Sequence, residues 1–98
     1  MQQVVIINGY RFCKLDQLEQ RKAQWLSQCE ACALKGTVLL TPEGINIAMA
    51  GSREGIDRLI AWLETDALTA GMWLKETYAK VVPFTKVVIK IKSEIISM

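Results

Sequence analysis

The stretch GTVLLTPEGINIAMAGS, residues 36–52, decides the fold of this chain. It contains two short apolar runs, residues 37–40 and 45–50, separated by the tetrapeptide TPEG. Proline presets φ at the first corner of a turn, and glycine tolerates a positive φ where the chain leaves it. The second run alternates with the two-residue period of a strand. These patterns predict a β-hairpin, and because both of its faces are apolar, we expect it in the middle of a sheet.

Two helices are predicted, one before and one after the hairpin. Asp16 with Glu19 three residues later is typical of a capping box and predicts a helix that runs to about Ala33. Ser52 can cap the second helix, and an alanine at Gly55 inside it would be expected to stabilise it through helix propensity. Four apolar residues of this helix recur at i, i+3, i+4 and i+7: Ile56, Leu59, Ile60 and Leu63.

Three further stretches have the composition of strands: residues 4–12, 73–78 and 85–92. The second is short and of mixed polarity, which predicts an edge strand without indicating which edge. The resulting order is β-α-β-β-α-β with one extra short strand before the last, which is the split βαβ or ferredoxin-like pattern. We therefore expect one α+β domain over residues 1–98, with an antiparallel sheet and both helices on one face. The other face is expected to be open to water or to a partner.

The composition excludes several classes of protein. The net charge of +2 is too small to indicate a partner, and no apolar run reaches the roughly 20 residues that cross a bilayer. The N-terminus, MQQVVIING, lacks the basic flank and long apolar core of a signal peptide, so we expect a cytoplasmic protein. The chain has no histidine, which removes the commonest general base and metal ligand.

The three cysteines, Cys13, Cys29 and Cys32, do not predict a site. Cys29 and Cys32 form a C-x-x-C near the end of a predicted helix, where the negative pole of the dipole disfavours a thiolate. Zinc usually requires four ligands, and Cys13 is the one further thiol. We expect these cysteines to pack against the sheet, with no disulfide, metal or other cofactor.

A basic set is the main candidate binding surface. By alternation, the lysines of the last strand leave it on the side opposite Val87 and Ile89, and Tyr10 and Phe12 are expected to face the core. The basic set comprises Arg11, Lys86, Lys90 and Lys92. A basic open face suits RNA phosphates, although it equally suits packing against another domain, and lysines also protect edge strands.

Glu43 and Asn46 flank the central turn and have two interpretations. They can hold a substrate or a neighbouring domain. Alternatively, Asn46 closes the hydrogen bonds of the turn, and Glu43 is solvated.

The run GTVLLTPEGINIAMAGSREGID, with the later LKETY, PF and KVVIKIKSEII, resembles the N-terminal domain of the rhodanese-related tRNA uridine hydroxylases. The resemblance covers nearly the whole chain and implies an acylphosphatase-like fold. Its most specific positions are Gly36, Pro42, Glu43, Gly44, Asn46 and Gly51, together with Ile45.

The resemblance also implies that a second domain carries the catalytic residues. In that family a rhodanese domain with a catalytic cysteine follows, and no residue here matches that cysteine. Wobble-uridine hydroxylation of tRNA is therefore expected of a longer protein, with this domain as an accessory that places tRNA or packs against the rhodanese domain. The alternatives are a stand-alone acylphosphatase-like enzyme and a purely structural or dimerising module. The glycine-rich phosphate loop of acylphosphatases is missing after the first strand, although Arg11 and Asn46 are available.

Overall fold

A computed structural model describes residues 3–92 of the chain. Within those residues it contains five strands and two helices. Their order is β1 (Val4–Phe12), α1 (Leu18–Ala31), β2 (Lys35–Thr41), β3 (Gly44–Gly51), α2 (Arg53–Glu64), β4 (Leu74–Ala79) and β5 (Val87–Ile91). The last part of the quoted KVVIKIKSEII run, residues 93–96, lies outside the described residues.

The strands form one mixed sheet in the order β4-β1-β3-β2-β5. The prediction that the hairpin lies inside the sheet is confirmed, since β3 is central and β2 is also paired on both sides. The wholly antiparallel sheet is wrong, because β5 pairs in parallel with β2. The end of β4 and the start of β5 lie at the same end of the sheet. Residues 80–86 connect these two strands at opposite edges of the sheet, so β5 runs opposite to β4 but in the direction of β2.

One hydrophobic core lies between the sheet and the two helices. α1 contributes Trp25 and Cys29, and the rings of Trp25 and Trp62 meet edge to face with centroids 5.1 Å apart. The fully buried residues from the strands and α2 join the same cluster: Ile7, Val38, Leu40, Ile45, Ile47, Met49, Ile56 and Leu59. The predicted amphipathic face of α2 is thereby confirmed, and no helix within residues 3–92 covers the opposite, open face of the sheet.

The predicted faces of β1 are reversed. Val5 and Ile7 are 2% and 0% exposed and lie in the core, whereas Tyr10 and Phe12 are 56% and 64% exposed on the open face. Both alternating sets of β1 contain apolar residues, so periodicity alone does not select the buried face. The packing of the helices selects it, and Arg11 consequently lies on the helix side of the sheet.

The two helix starts have different caps. Ser52 caps α2 as predicted, since its Oγ accepts a hydrogen bond from the Gly55 N–H at 3.0 Å. Asp16 does not cap α1; the N-cap is Gln17, which has a φ of 50° and makes no side-chain cap bond. The Asp16 carboxylate lies 3.7 Å from Arg21, and its carbonyl accepts from Arg21 Nε at 3.0 Å. The Asp16 carboxylate therefore pairs with Arg21 in the first turn of α1 and does not cap the helix.

The end of α1 is a Schellman motif built without glycine. The Leu34 N–H donates to the Cys29 carbonyl at 3.0 Å, and the Ala33 N–H donates to the Glu30 carbonyl at 3.1 Å. Ala33 has a φ of 56°, the left-handed conformation that glycine usually supplies at this position. The helix ends at Ala31, close to the predicted end at about Ala33, and β2 begins at Lys35.

We expect Ala33→Gly to raise the free energy of unfolding by up to about 1 kcal/mol, because glycine carries no left-handed penalty. The matched control is Ala23→Gly, at an exposed position in the middle of α1. It should lower the free energy of unfolding by about 1 kcal/mol. Urea denaturation monitored by circular dichroism measures both. Equal losses in the two variants would contradict the left-handed conformation at Ala33.

The structure also reverses the expectation for Gly55. This glycine is buried, and a Cβ built on it would lie 2.5 Å from the Cys32 carbonyl oxygen. The close approach of α2 to the end of α1 therefore depends on a missing side chain, which outweighs helix propensity.

Gly55→Ala is expected to lower the free energy of unfolding by about 1–3 kcal/mol, the usual range for overpacking a core. Arg58→Ala, on the exposed side of the same helix, should change it by less than about 0.5 kcal/mol. Thermal or urea melts of the two variants provide the test, and a stabilised Gly55→Ala variant would refute the close approach.

Candidate functional site

The central turn is closed by Thr41, not by Asn46. Thr41 Oγ1 accepts from the backbone N–H groups of Glu43 and Gly44 at 3.1 and 3.0 Å, and donates to the Gly44 carbonyl at 3.2 Å. Thr41 is fully buried, and Glu43 is exposed. The suggestion that Asn46 closes the turn is wrong, and its half-buried carboxamide instead lies on the open face of β3.

The backbone carbonyls of this turn also bind the loop that follows β1. The Cys13 N–H donates to the Glu43 carbonyl at 3.0 Å, and the Leu15 N–H donates to the Pro42 carbonyl at 3.1 Å. These amide groups are therefore engaged within the fold and do not converge on a phosphate.

The open face of the sheet contains a row of neighbouring residues that crosses four strands. Tyr10 of β1 lies opposite Asn46 of β3, Asn46 opposite Leu39 of β2, and Leu39 opposite Lys90 of β5. A shallow depression of about 390 Å³ covers the far part of this row. The residues of the open face that line it are Thr37, Leu39, Asn46, Ala48, Lys90 and Lys92.

Three exposed aromatic residues belong to the near end of this row. The Tyr10 and Phe12 rings meet edge to face with centroids 5.3 Å apart and planes at 72°. Trp73, just before β4, is 68% exposed, and continuing the β1–β4 register by one residue places it opposite Tyr10. The Trp73 carbonyl approaches Gly9 so closely that a Cβ there would overlap it. The sequence analysis missed this group because Tyr10 and Phe12 had been placed in the core.

The predicted basic set is only partly brought together. Lys90 and Lys92 are exposed and line the same depression, whereas Arg11 lies on the opposite, helix-packed face. Lys86 is exposed just before β5, and its carbonyl accepts from the Gly36 N–H at 3.0 Å. Two of the four cations therefore share a surface with Asn46 and the aromatic row.

Carboxylates are absent from the strand positions of this open face, as far as residues 3–92 are concerned. Glu76, the acidic residue of the described strands, lies on the helix side, and its Oε1 is 2.7 Å from Arg53 Nη2. Hydrogen bonding from Arg53 lowers the pKa of Glu76, so the ion pair stays charged to a lower pH than a solvated glutamate would. The open face instead carries Lys75 and Lys90, so it favours an anionic ligand.

The other candidate groups lack reactive chemistry. Cys29 and Cys32 are buried free thiols at the end of α1, and burial raises the pKa of Cys29 to about 12. No group of three His, Cys, Asp or Glu side chains among residues 3–92 is placed to hold a metal ion. A cavity of about 710 Å³ between α1 and the end of α2 is lined by Arg21 and Asp66, whose side chains approach each other to 3.4 Å.

A family model of the UPF0176 acylphosphatase-like domain matches residues 4–95. The chain belongs to this family. The resemblance noted from the PEGIN turn and its flanking strands is thereby confirmed, and this member of the family is an α+β domain with two helices within residues 3–92. No helix among the described residues has the length and apolar character needed to span a membrane.

Curated relatives of this UPF0176 domain are named tRNA uridine(34) hydroxylase. The relative from Cupriavidus taiwanensis is 45% identical over 96 residues, which cover 98% of this chain and 34% of that protein. The relative from Bordetella petrii is 46% identical over 98 residues, which cover 100% of this chain and 39% of that protein. The chain thus spans little more than a third of the length of the curated relatives that it matches.

Solved structures show similarity of fold alone. The dark-state structure of BlrB, a BLUF protein, superposes with a TM-score of 0.74 at 13% identity, covering 93% of this chain and 74% of that one. Full-length HypF in its phosphate- and nucleotide-bound form gives a TM-score of 0.56 at 15% identity, covering 93% of this chain and 12% of that one.

The cysteines of this UPF0176 domain should differ sharply in reactivity. A pKa raised from 9.0 to about 12 lowers the thiolate fraction of Cys29 at pH 8 by roughly a thousandfold, while Cys13 is partly exposed. Iodoacetamide should therefore modify Cys13 first in the native chain, as measured by peptide mass spectrometry. All three cysteines should react in urea, which is the control. Rapid native modification of Cys29 would contradict its burial.

Proposed function

We propose that this chain is the accessory N-terminal domain of a tRNA uridine(34) hydroxylase. The observation that carries the proposal is identity of 45% along almost the whole chain with a relative of that name, of which it covers about a third. The chain, taken as one domain over residues 1–98, is proposed to act within a longer cytoplasmic protein. The rest of that protein, a rhodanese-related domain, supplies the catalytic residues and hydroxylates the tRNA.

The fold proposed for this role is a split βαβ, ferredoxin-like unit with one appended strand. The order of the first six elements, β1-α1-β2-β3-α2-β4, supports this assignment, and β5 adds to the free edge of β2. The helices occupy one face, which leaves the other face available for a partner.

The open face is the proposed working surface of the domain. Lys90 and Lys92 lie beside Asn46, and the strand positions of this face are free of carboxylates within the described chain. Such a surface attracts a phosphate backbone without reading sequence. Its role is to help place tRNA, and the competing role is packing against the rhodanese-related domain.

A stand-alone acylphosphatase is a poorer proposal. Arg11 and Asn46, the two residues available for that chemistry, lie on opposite faces of the sheet. The amides of Cys13 and Leu15 after β1 already donate to carbonyls of the turn. A substrate phosphate would therefore find no cation and carboxamide converging on one face, and the amides of Cys13 and Leu15 are not free to bind it.

The proposal is tested in a chimera. This chain replaces the corresponding N-terminal third of the Cupriavidus taiwanensis hydroxylase, and hydroxylated uridine in tRNA is measured by mass spectrometry of nucleosides. We expect the chimera to retain activity that a deletion of the same third loses. An inactive chimera that is folded and monodisperse would argue against the accessory role.

In the active chimera, changing Lys86, Lys90 and Lys92 together to Glu should weaken tRNA binding at least about tenfold and flatten its salt dependence. The melting temperature should stay nearly unchanged, because all three side chains are exposed. The control variant makes the same change of charge at Lys14, Lys22 and Arg58 on the helix side. Normal binding and modification by the first variant would assign this face to domain packing instead.

A further inference from the structure

We infer that the open face binds single-stranded RNA by stacking unpaired bases on Tyr10, Phe12 and Trp73, with Lys90 and Lys92 on the phosphates. The inference rests on the proposed function and makes it more specific, because it names the form of RNA that this face recognises. Phosphate contact alone would serve duplex and single strand alike.

The aromatic residues are presented in a way that suits stacking. Exposed fractions of 56%, 64% and 68% for Tyr10, Phe12 and Trp73 leave most of each ring outside the core. The Tyr10 and Phe12 planes differ by 72°, so the two rings offer their faces in different directions and each can take one base. Bases stack on such platforms with little regard to sequence, because every base has a π-face.

Hydrogen bonding is available next to the platform. Asn46 lies directly opposite Tyr10, and its carboxamide offers both donors and an acceptor to the edge of an unpaired base. The adjoining depression has the width of three strands and ends at Lys90 and Lys92. Base contacts and phosphate contacts are thereby separated along one row.

The spacing of the row suits a short, extended strand of nucleotides. Tyr10 and Lys90 are three strand positions apart, which corresponds to about 14 Å at the usual separation of about 4.8 Å. Unpaired bases can be splayed toward the aromatic end while the backbone continues to the lysine end. In a duplex the faces of the bases are covered by their neighbours, so the aromatic residues would gain no contact.

The same surface fits a protein partner less well. Lys90 and Lys92 lie at the β5 edge of this face, and Lys75 lies at its β4 edge, so cations border the face on both sides. The described strand positions of the face also lack the carboxylates that would pair with a basic partner. Charge complementarity therefore favours a polyanion.

The test is a titration of this chain with a labelled single-stranded RNA of about 10 nucleotides and with the same RNA annealed to its complement. Fluorescence anisotropy at two salt concentrations gives the affinities. We expect tighter binding of the single strand and quenching of Trp73 emission, which Trp73→Phe removes. Tyr10→Leu and Phe12→Leu should each weaken single-strand binding about tenfold and leave duplex binding unchanged.

The matched control is Tyr78→Leu. Tyr78 is a 53% exposed aromatic residue of β4 on the helix-packed side, opposite Val5, so its loss should leave RNA binding at the parental value. Lys90→Glu with Lys92→Glu should weaken single-strand and duplex binding alike. Melting temperatures establish that each variant is folded.

Three results would overturn the inference, and each separates it from the proposed function. If Tyr10→Leu and Phe12→Leu bind as the parent while the lysine variant does not, the face contacts phosphates alone and the accessory role stands. If the aromatic variants bind RNA normally but lower the melting temperature of the chimera, the face packs against another domain. If the chain binds neither RNA, the stacking surface is refuted, while the chimera assay still decides the proposed function.

Discussion

The hydrogen bonds of the buried Thr41 hydroxyl are the constraint on which the rest of the structure depends. This one side chain closes the turn between β2 and β3, and the turn carbonyls then bind the amides of Cys13 and Leu15. The central hairpin and the path from β1 into α1 are therefore fixed together. A buried hydroxyl that satisfies two amides avoids the cost of leaving backbone donors unpaired. The PEGIN sequence of this turn is thus structural at its first residues, whereas Asn46 remains available on the open face.

The hairpin, both helices and the edge position of β4 could be predicted from the sequence, because each has an unambiguous local signal. Each signal involves only a few neighbouring residues. The hairpin has a two-residue loop with proline, and α2 has a serine cap and apolar residues at i, i+3, i+4 and i+7. The faces of β1 could not be predicted. Val4 and Ile6 are as apolar as Val5 and Ile7, so the buried set is chosen by where the helices pack. This reversal moved Arg11 away from the lysines and brought Tyr10 and Phe12 to the candidate site.

Non-local contacts also decided the features that the sequence analysis missed. From the sequence, Gly55 is expected to destabilise its helix. In the structure, the absence of a side chain at Gly55 allows the close approach to the Cys32 carbonyl at the end of α1. The parallel pairing of β5 depends on the connection through residues 80–86, which joins one edge of the sheet to the other. Trp73 is separated in sequence from the residues that it joins, and only the β1–β4 register places it beside Tyr10. Local propensity contains no information on any of these three contacts.

The strand order has a consequence for the order in which the chain can fold. β2 and β3 are adjacent in sequence and can pair within microseconds, but β1 has no sequence neighbour among its partners, and its Val4 pairs with Ala79. Closing such distant pairs is slow, because the entropy of a long loop is lost before the contacts are gained. One edge of the VVII segment of β1 can pair with β3, but the other edge stays unpaired until β4 has been synthesised. During that interval it has the composition of an aggregation-prone segment, so a ribosome or chaperone that shields it would govern the yield of folded protein.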